Sequence, residues 1–193
     1  MVWLVLGLVL FLGVHSIAII SPDGRNRLAA QLGENAFKGL YSLASFAGLA
    51  LIVWGYGVAR ETPVLLYALP GGFRHLAALL MLPVFVLLLA AYLPGRIQRA
   101  AKHPMLLSVK LWATAHLLAN GDLASVLLFV ALLAWGVVLR ISYKRRVRAG
   151  ELVLKPFVSA RFDAIAVVGS IVLWAVITMW LHKLLIGVAP LAM

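Results

Sequence analysis

Cysteine is absent from the 193 residues, and acidic residues number only 6. Without thiols there is no disulfide, no thiolate-bound metal, no iron–sulfur cluster and no covalent haem attachment through Cys-x-x-Cys-His. Charged residues make up 12% of the chain. An ordinary water-soluble domain carries about 25%, so that class is excluded. Lysine and arginine total 17 and leave a net charge of +11. Nucleic acid is one partner for such an excess. Most of these residues flank apolar runs, however, where they set membrane orientation, and no nucleic-acid binding is expected. No Walker A lysine loop, His-Glu-x-x-His or Gly-x-Ser-x-Gly occurs in the chain.

What the chain has instead is apolar length. It is 64% hydrophobic with a mean hydropathy of +1.06. Repeated runs of ~20 apolar residues match a hydrocarbon core of ~30 Å at 1.5 Å per helical residue. The expected fold is all-α, a polytopic transmembrane bundle of about six helices forming a single domain over 1–193. Spans are expected at 2–20, 39–58, 75–93, 105–119, 123–141 and 164–186.

The span at 105–119 is short, at ~22 Å of helical rise, and is either a crossing or a re-entrant segment. Charge favours a crossing. With six crossings, Arg25, Arg27, Lys38, Arg96, Arg99, Lys102 and the basic residues from Arg140 to Arg161 share one side. Arg60, Arg74 and Lys183 fall on the other. The positive-inside rule then predicts an inner-membrane protein with both termini outside. The first span has no Lys or Arg ahead of it, unlike a signal peptide, and is expected to remain as a helix. Ser21-Pro22-Asp23-Gly24 is expected to end it as a turn. Pro83 is expected to kink the third span. The oddly apolar loop 60–74 either lies in the interface or dips back as a lid over a lipophilic entrance. Lys144, Arg145, Arg146 and Arg148 form an orientation anchor or attract anionic membrane lipids, and His182 and Lys183 are placed to snorkel.

Residues 103–125 stand apart, because a lysine, two histidines, an asparagine and an aspartate accompany one short apolar segment. Polar groups at that depth are costly and tend to line a site. His116 shares a helical face with Val109, Trp112 and Asn120. It is either a packing histidine or a ligand. His15 is its counterpart in the first span, beside Ser16 and on a face with Phe11 and Ile19. Two intramembrane histidines on different helices are what bis-His ligation of a non-covalent haem b requires. By helical rise His15 lies ~20 Å below the outer edge and His116 ~16 Å above the inner one, so their heights differ by several Å. Lys110 has three readings: it snorkels, pairs with a haem propionate, or titrates as a buried amine. His103 is about 140° around the helix from His116 and should not share a metal ion with it. Asn120-Gly121-Asp122 reads as turn chemistry, with Gly121 as a left-handed cap and Asp122 capping the next helix through the Ser125 amide. A contact from Asn120 to the His116 site is compatible with that turn.

Leu12-Gly13-Val14-His15-Ser16, Tyr41-Ser42-Leu43, Trp54-Gly55-Tyr56, His103-Pro104 and the run from Leu111 through His116-Leu117-Leu118-x-Asn120-Gly121-Asp122 together resemble the NnrU family. The resemblance implies a small polytopic membrane protein linked in bacteria to nitrite and nitric oxide metabolism. The 15-cis-ζ-carotene isomerase of plastids and cyanobacteria shares the domain and binds haem b through two histidines. His15 and His116 match those ligands, and ferrous haem would act there as a Lewis acid in cis–trans isomerisation of a lipophilic polyene. Trp112, Asn120 and Lys110 are the accompanying candidates for cofactor contact. Basic residues followed by His-Pro also resemble isoprenylcysteine-type membrane methyltransferases that use S-adenosylmethionine. A non-catalytic membrane accessory protein is the third reading.

Overall fold

The structure is a computed structural model describing residues 1–191. Its regular structure is helical apart from one isolated antiparallel bridge between Leu65 and Asp122 among the described residues. The helices are α1 (Val2–Ile20), α2 (Pro22–Leu32), α3 (Glu34–Ala59), α4 (Gly72–Ala90), α5 (Arg96–Ala101), α6 (Pro104–Ala119), α7 (Leu123–Arg148), α8 (Arg161–Val176) and α9 (His182–Ile186). A π-helical turn, Ile177–Leu181, makes α8 and α9 one rod from Arg161 to Ile186. Five helices, α1, α3, α4, α7 and that rod, are long and apolar enough to cross a bilayer among the described residues. The sixth, α6, is apolar but has 16 residues. The chain is thus an all-α, multi-pass membrane bundle. Side chains such as Phe46, Val9 and Trp180, at 71%, 67% and 61% exposure, face outward as lipid contact requires.

Several ends differ from the hydropathy reading for local reasons. Pro22 does not terminate structure. It occupies the first turn of α2, where its missing N–H costs nothing, and Asp23 sits in that same positive end. Gly33, at φ +81°, then closes α2 in a conformation that other residues rarely adopt. Helix α7 runs on to Arg148 through the basic segment, since no breaker intervenes before Gly150 at φ +76°. Its terminal arginines also suit the negative end of the helix dipole. Pro83 lies inside α4 without ending it.

The contacts divide the chain into two compact units, residues 1–66 with 122–131, and residues 67–121 with the chain from Leu132 onward. In the first, α1 packs on α3 through glycines. A Cβ at Gly7 would lie 2.6 Å from the Ile52 nitrogen, and one at Gly48 would lie 2.8 Å from the Phe11 nitrogen. One at Gly55 would strike the main chain of Trp3 and Leu4. Small residues let the two backbones meet, and dispersion over that contact replaces a hydrophobic drive that lipid does not supply. Leu4 is fully buried there, and Tyr56 meets Ser125 through their hydroxyls at 2.8 Å.

In the second unit α4 is the centre, flanked by α6 and α8. Ser108 on α6 donates to the Val84 carbonyl at 3.0 Å, and the Trp174 indole on α8 donates to the Ala78 carbonyl at 2.8 Å. Both bonds satisfy side-chain donors that have no water to turn to in a bilayer. Asp163, in the first turn of α8, accepts from the Arg96 and Ile97 amides at 2.9 Å each and so caps α5.

Candidate functional site

His15 sits half-buried on α1 in the first unit. The helical repeat places Phe11 one turn before it. Its Nδ1 lies 2.7 Å from the Phe11 carbonyl, and the two rings are 4.2 Å apart. Tyr41 on α3 meets the imidazole edge-on at 5.4 Å. A carbonyl only accepts, so this bond puts the proton on Nδ1 and the lone pair on Nε2. In the sequence Tyr41 stands within the Tyr41-Ser42-Leu43 segment of the family resemblance, with no role assigned to it. Its contact with His15 depends on the α1–α3 register, which no local spacing reveals.

His116 sits on α6 in the second unit and repeats the arrangement. Its Nδ1 lies 2.8 Å from the Trp112 carbonyl, and the rings are 4.8 Å apart at 46°. By the same argument Nε2 carries the lone pair. The Asn120 side-chain amide donates to the His116 carbonyl at 2.9 Å, so the asparagine holds the helix end behind the ring. Trp112, His116 and Asn120 are therefore brought together, as their spacing predicts.

Lys110, on the same helix, is half-buried, and its stem packs against Gly136 on α7. His103 stands apart from this group. It precedes Pro104 at φ −143° and caps α6, accepting from the Leu106 amide through Nδ1 at 3.3 Å. Its ring meets Tyr143 edge-on at 4.6 Å. Burial, aided by the charges of Arg140 and Lys155, pushes His103 below the ordinary histidine pKa against an opposing bond to its own backbone.

The turn after α6 departs from expectation at one residue. Gly121 is not left-handed, and the helix ends because Asn120 is extended at φ −134°, ψ 119°. Glycine is required there for space. A Cβ would strike the Tyr67 carbonyl, whose residue also donates its amide to the Gly121 carbonyl at 3.2 Å. The Tyr67 hydroxyl donates to the carbonyls of Leu117 and Asn120. Tyr67 thus closes the end of the His116 helix, a role that a tyrosine in a loop does not announce. In the first unit Asp122 does cap α7, accepting from the Ser125 amide at 3.0 Å, and the Leu123 amide donates to the Val64 carbonyl at 2.8 Å. The loop is thereby pinned as extended chain in each unit.

Among the described residues no three or more His, Asp or Glu side chains are grouped as a metal cage would need. The donors that fit a cofactor are single imidazoles, each oriented by its own helix. Imidazole nitrogen is a donor of the kind that non-covalent haem iron accepts. The family model described as NnrU protein matches residues 3–190. No curated protein and no solved structure matches the chain.

Proposed function

The chain belongs to the NnrU family, and from that membership we propose that it is an integral-membrane haem b protein in which His15 and His116 would hold the group. The observation that carries this reading is the shared setting of the two histidines. Each bonds the carbonyl one turn back through Nδ1 and rests against the aromatic ring of that same residue. That setting fixes tautomer and ring direction, the usual task of groups behind a metal-bound histidine. The family match runs through both compact units, which supports one functional domain over the chain.

Bound haem would supply an iron centre for nitrogen-oxide chemistry or, as a Lewis acid, for cis–trans isomerisation of a lipophilic polyene. The protein's own part is to hold and shield. Phe11 and Tyr41 stand against the His15 imidazole, and Trp112 stands against that of His116. Asn120 steadies the His116 turn, and Lys110 offers the positive charge that a propionate calls for. The basic residues of the loops support insertion in the inner membrane with both termini outside.

An optical spectrum of the detergent-purified protein, oxidised and then dithionite-reduced, tests the proposal. Sharp α and β bands on reduction, absent from both His15→Ala and His116→Ala, are expected. A colourless protein from a haem-replete host would overturn it, and retention of labelled S-adenosylmethionine would turn the reading to a methyltransferase. Turnover of an added polyene in proteoliposomes separates an isomerase from an accessory protein.

A further inference from the structure

The second unit holds a cavity of about 330 Å³ where the end of α4, α5, the start of α6, α7 and the loop after α7 come together. Arg99, Lys102, His103 and Lys155 line it, with Tyr143 and the buried Gln98. No carboxylate does so among the described residues. The acids of this unit are engaged elsewhere, Asp163 on the α5 amides and Glu151 with Arg146 at 3.2 Å. Three cations therefore face one small volume without a counter-charge in its wall.

One backbone feature in the cavity wall also points to a ligand. Lys102 is held at φ +60°, the one non-glycine residue with positive φ among those described. Its amide bonds the Gln98 carbonyl at 3.0 Å, and the Tyr143 hydroxyl donates to its carbonyl at 3.3 Å. Strained residues fixed from both sides tend to cluster at ligand clamps. Met105, Val153 and Leu154 add apolar wall beside the charges, the combination an amphiphile meets.

We propose that this cavity binds a phosphate group, carried by an anionic lipid headgroup or by a soluble phosphate ester. Arg99 presents a planar fork suited to phosphate oxygens, and Lys102 and Lys155 add point charges around it. The site is independent of the haem reading.

Native mass spectrometry of the full-length, detergent-purified protein tests it with dioctanoyl phosphatidic acid, dioctanoyl phosphatidylcholine and glycerol 3-phosphate as probes. Phosphatidic acid should be retained about tenfold better than phosphatidylcholine, and the exposed pair Arg99→Gln/Lys155→Gln should remove that preference, an effect of the size of one or two charge-assisted bonds. Arg145→Gln/Arg148→Gln, on the basic run of α7, should leave it intact. Glycerol 3-phosphate that displaces the lipid at matching concentration identifies a soluble ester as the ligand, and failure to displace it identifies the lipid head. Equal retention of the two lipids, with no glycerol 3-phosphate bound, would overturn the proposal. So would equal loss in both double variants, which would reduce the attraction to diffuse charge.

Discussion

His116 and Trp112 are joined twice within one turn of α6, by a 2.8 Å bond from the imidazole to the Trp112 carbonyl and by rings 4.8 Å apart. His15 and Phe11 repeat the pair on α1. Because the acceptor is main chain, substitution at residue 112 leaves that bond in place and removes the ring contact, worth about 0.5–1.5 kcal/mol. Trp112→Leu should weaken haem retention by roughly two- to tenfold, far less than His116→Ala. Titration of haem into apoprotein, followed by absorbance, measures both.

Gly121 leaves no room for a side chain beside the Tyr67 carbonyl. Gly121→Ala should cost about 1–3 kcal/mol through forced displacement of that loop. Tyr67→Phe, which loses the hydroxyl bonds to Leu117 and Asn120, should cost about 1 kcal/mol. Thermal unfolding in detergent ranks the two.

Asp122 caps α7 through the Ser125 amide and also meets the Ser125 hydroxyl at 2.5 Å. Asp122→Ala should lower stability by ~1 kcal/mol, whereas Asp122→Asn should retain most of it because the amide oxygen still accepts. A larger loss in the asparagine variant would show that the carboxylate charge matters beyond the cap.

His103 lies at the start of α6, where burial and then the nearby Arg140 and Lys155 charges hold its pKa down. The unfolded chain therefore takes up the proton first as pH falls through ~6.5. Stability tied to neutral His103 is complete above about pH 6.5 and is lost as pH drops toward the folded-state pKa. His103→Asn keeps a cap acceptor without a titrating ring. Unfolding midpoints measured from neutral to mildly acidic pH should fall less in that variant, and parallel slopes would assign the effect to other groups.

The α1–α3 contact allows a sharper test. The Cβ of Gly55→Val already meets the Trp3–Leu4 main chain, whereas the Cβ of Gly57→Val meets nothing within 4 Å. The first should destabilise by several kcal/mol and the second by little, since overpacking alone costs about 1–3 kcal/mol per site.

Much of the helical layout is legible in the sequence because the bilayer punishes exposed backbone so severely that apolar length alone marks a helix. His15, His116 and Asn120 stand out because polar groups are rare within such runs. Their local bonds come from one-turn spacing, which depends on no other part of the chain. Gly121 escapes a local reading because its constraint comes from Tyr67, distant in sequence, while the turn geometry expected of a glycine is local. The same holds for Tyr41 beside His15. Helix α2 is hidden by Pro22, since a proline can open a helix as readily as it closes one.

The two links that α4 receives, from Ser108 and from Trp174, both end on main-chain oxygens. A carbonyl is supplied by whatever residue occupies its position. Ala78 and Val84 can therefore drift among apolar residues over evolutionary time without breaking either link, while Ser108 and Trp174 cannot. Variation at these four positions should accordingly be lopsided, limited at Ala78 and Val84 by packing alone and at Ser108 and Trp174 by the need to keep a donor as well.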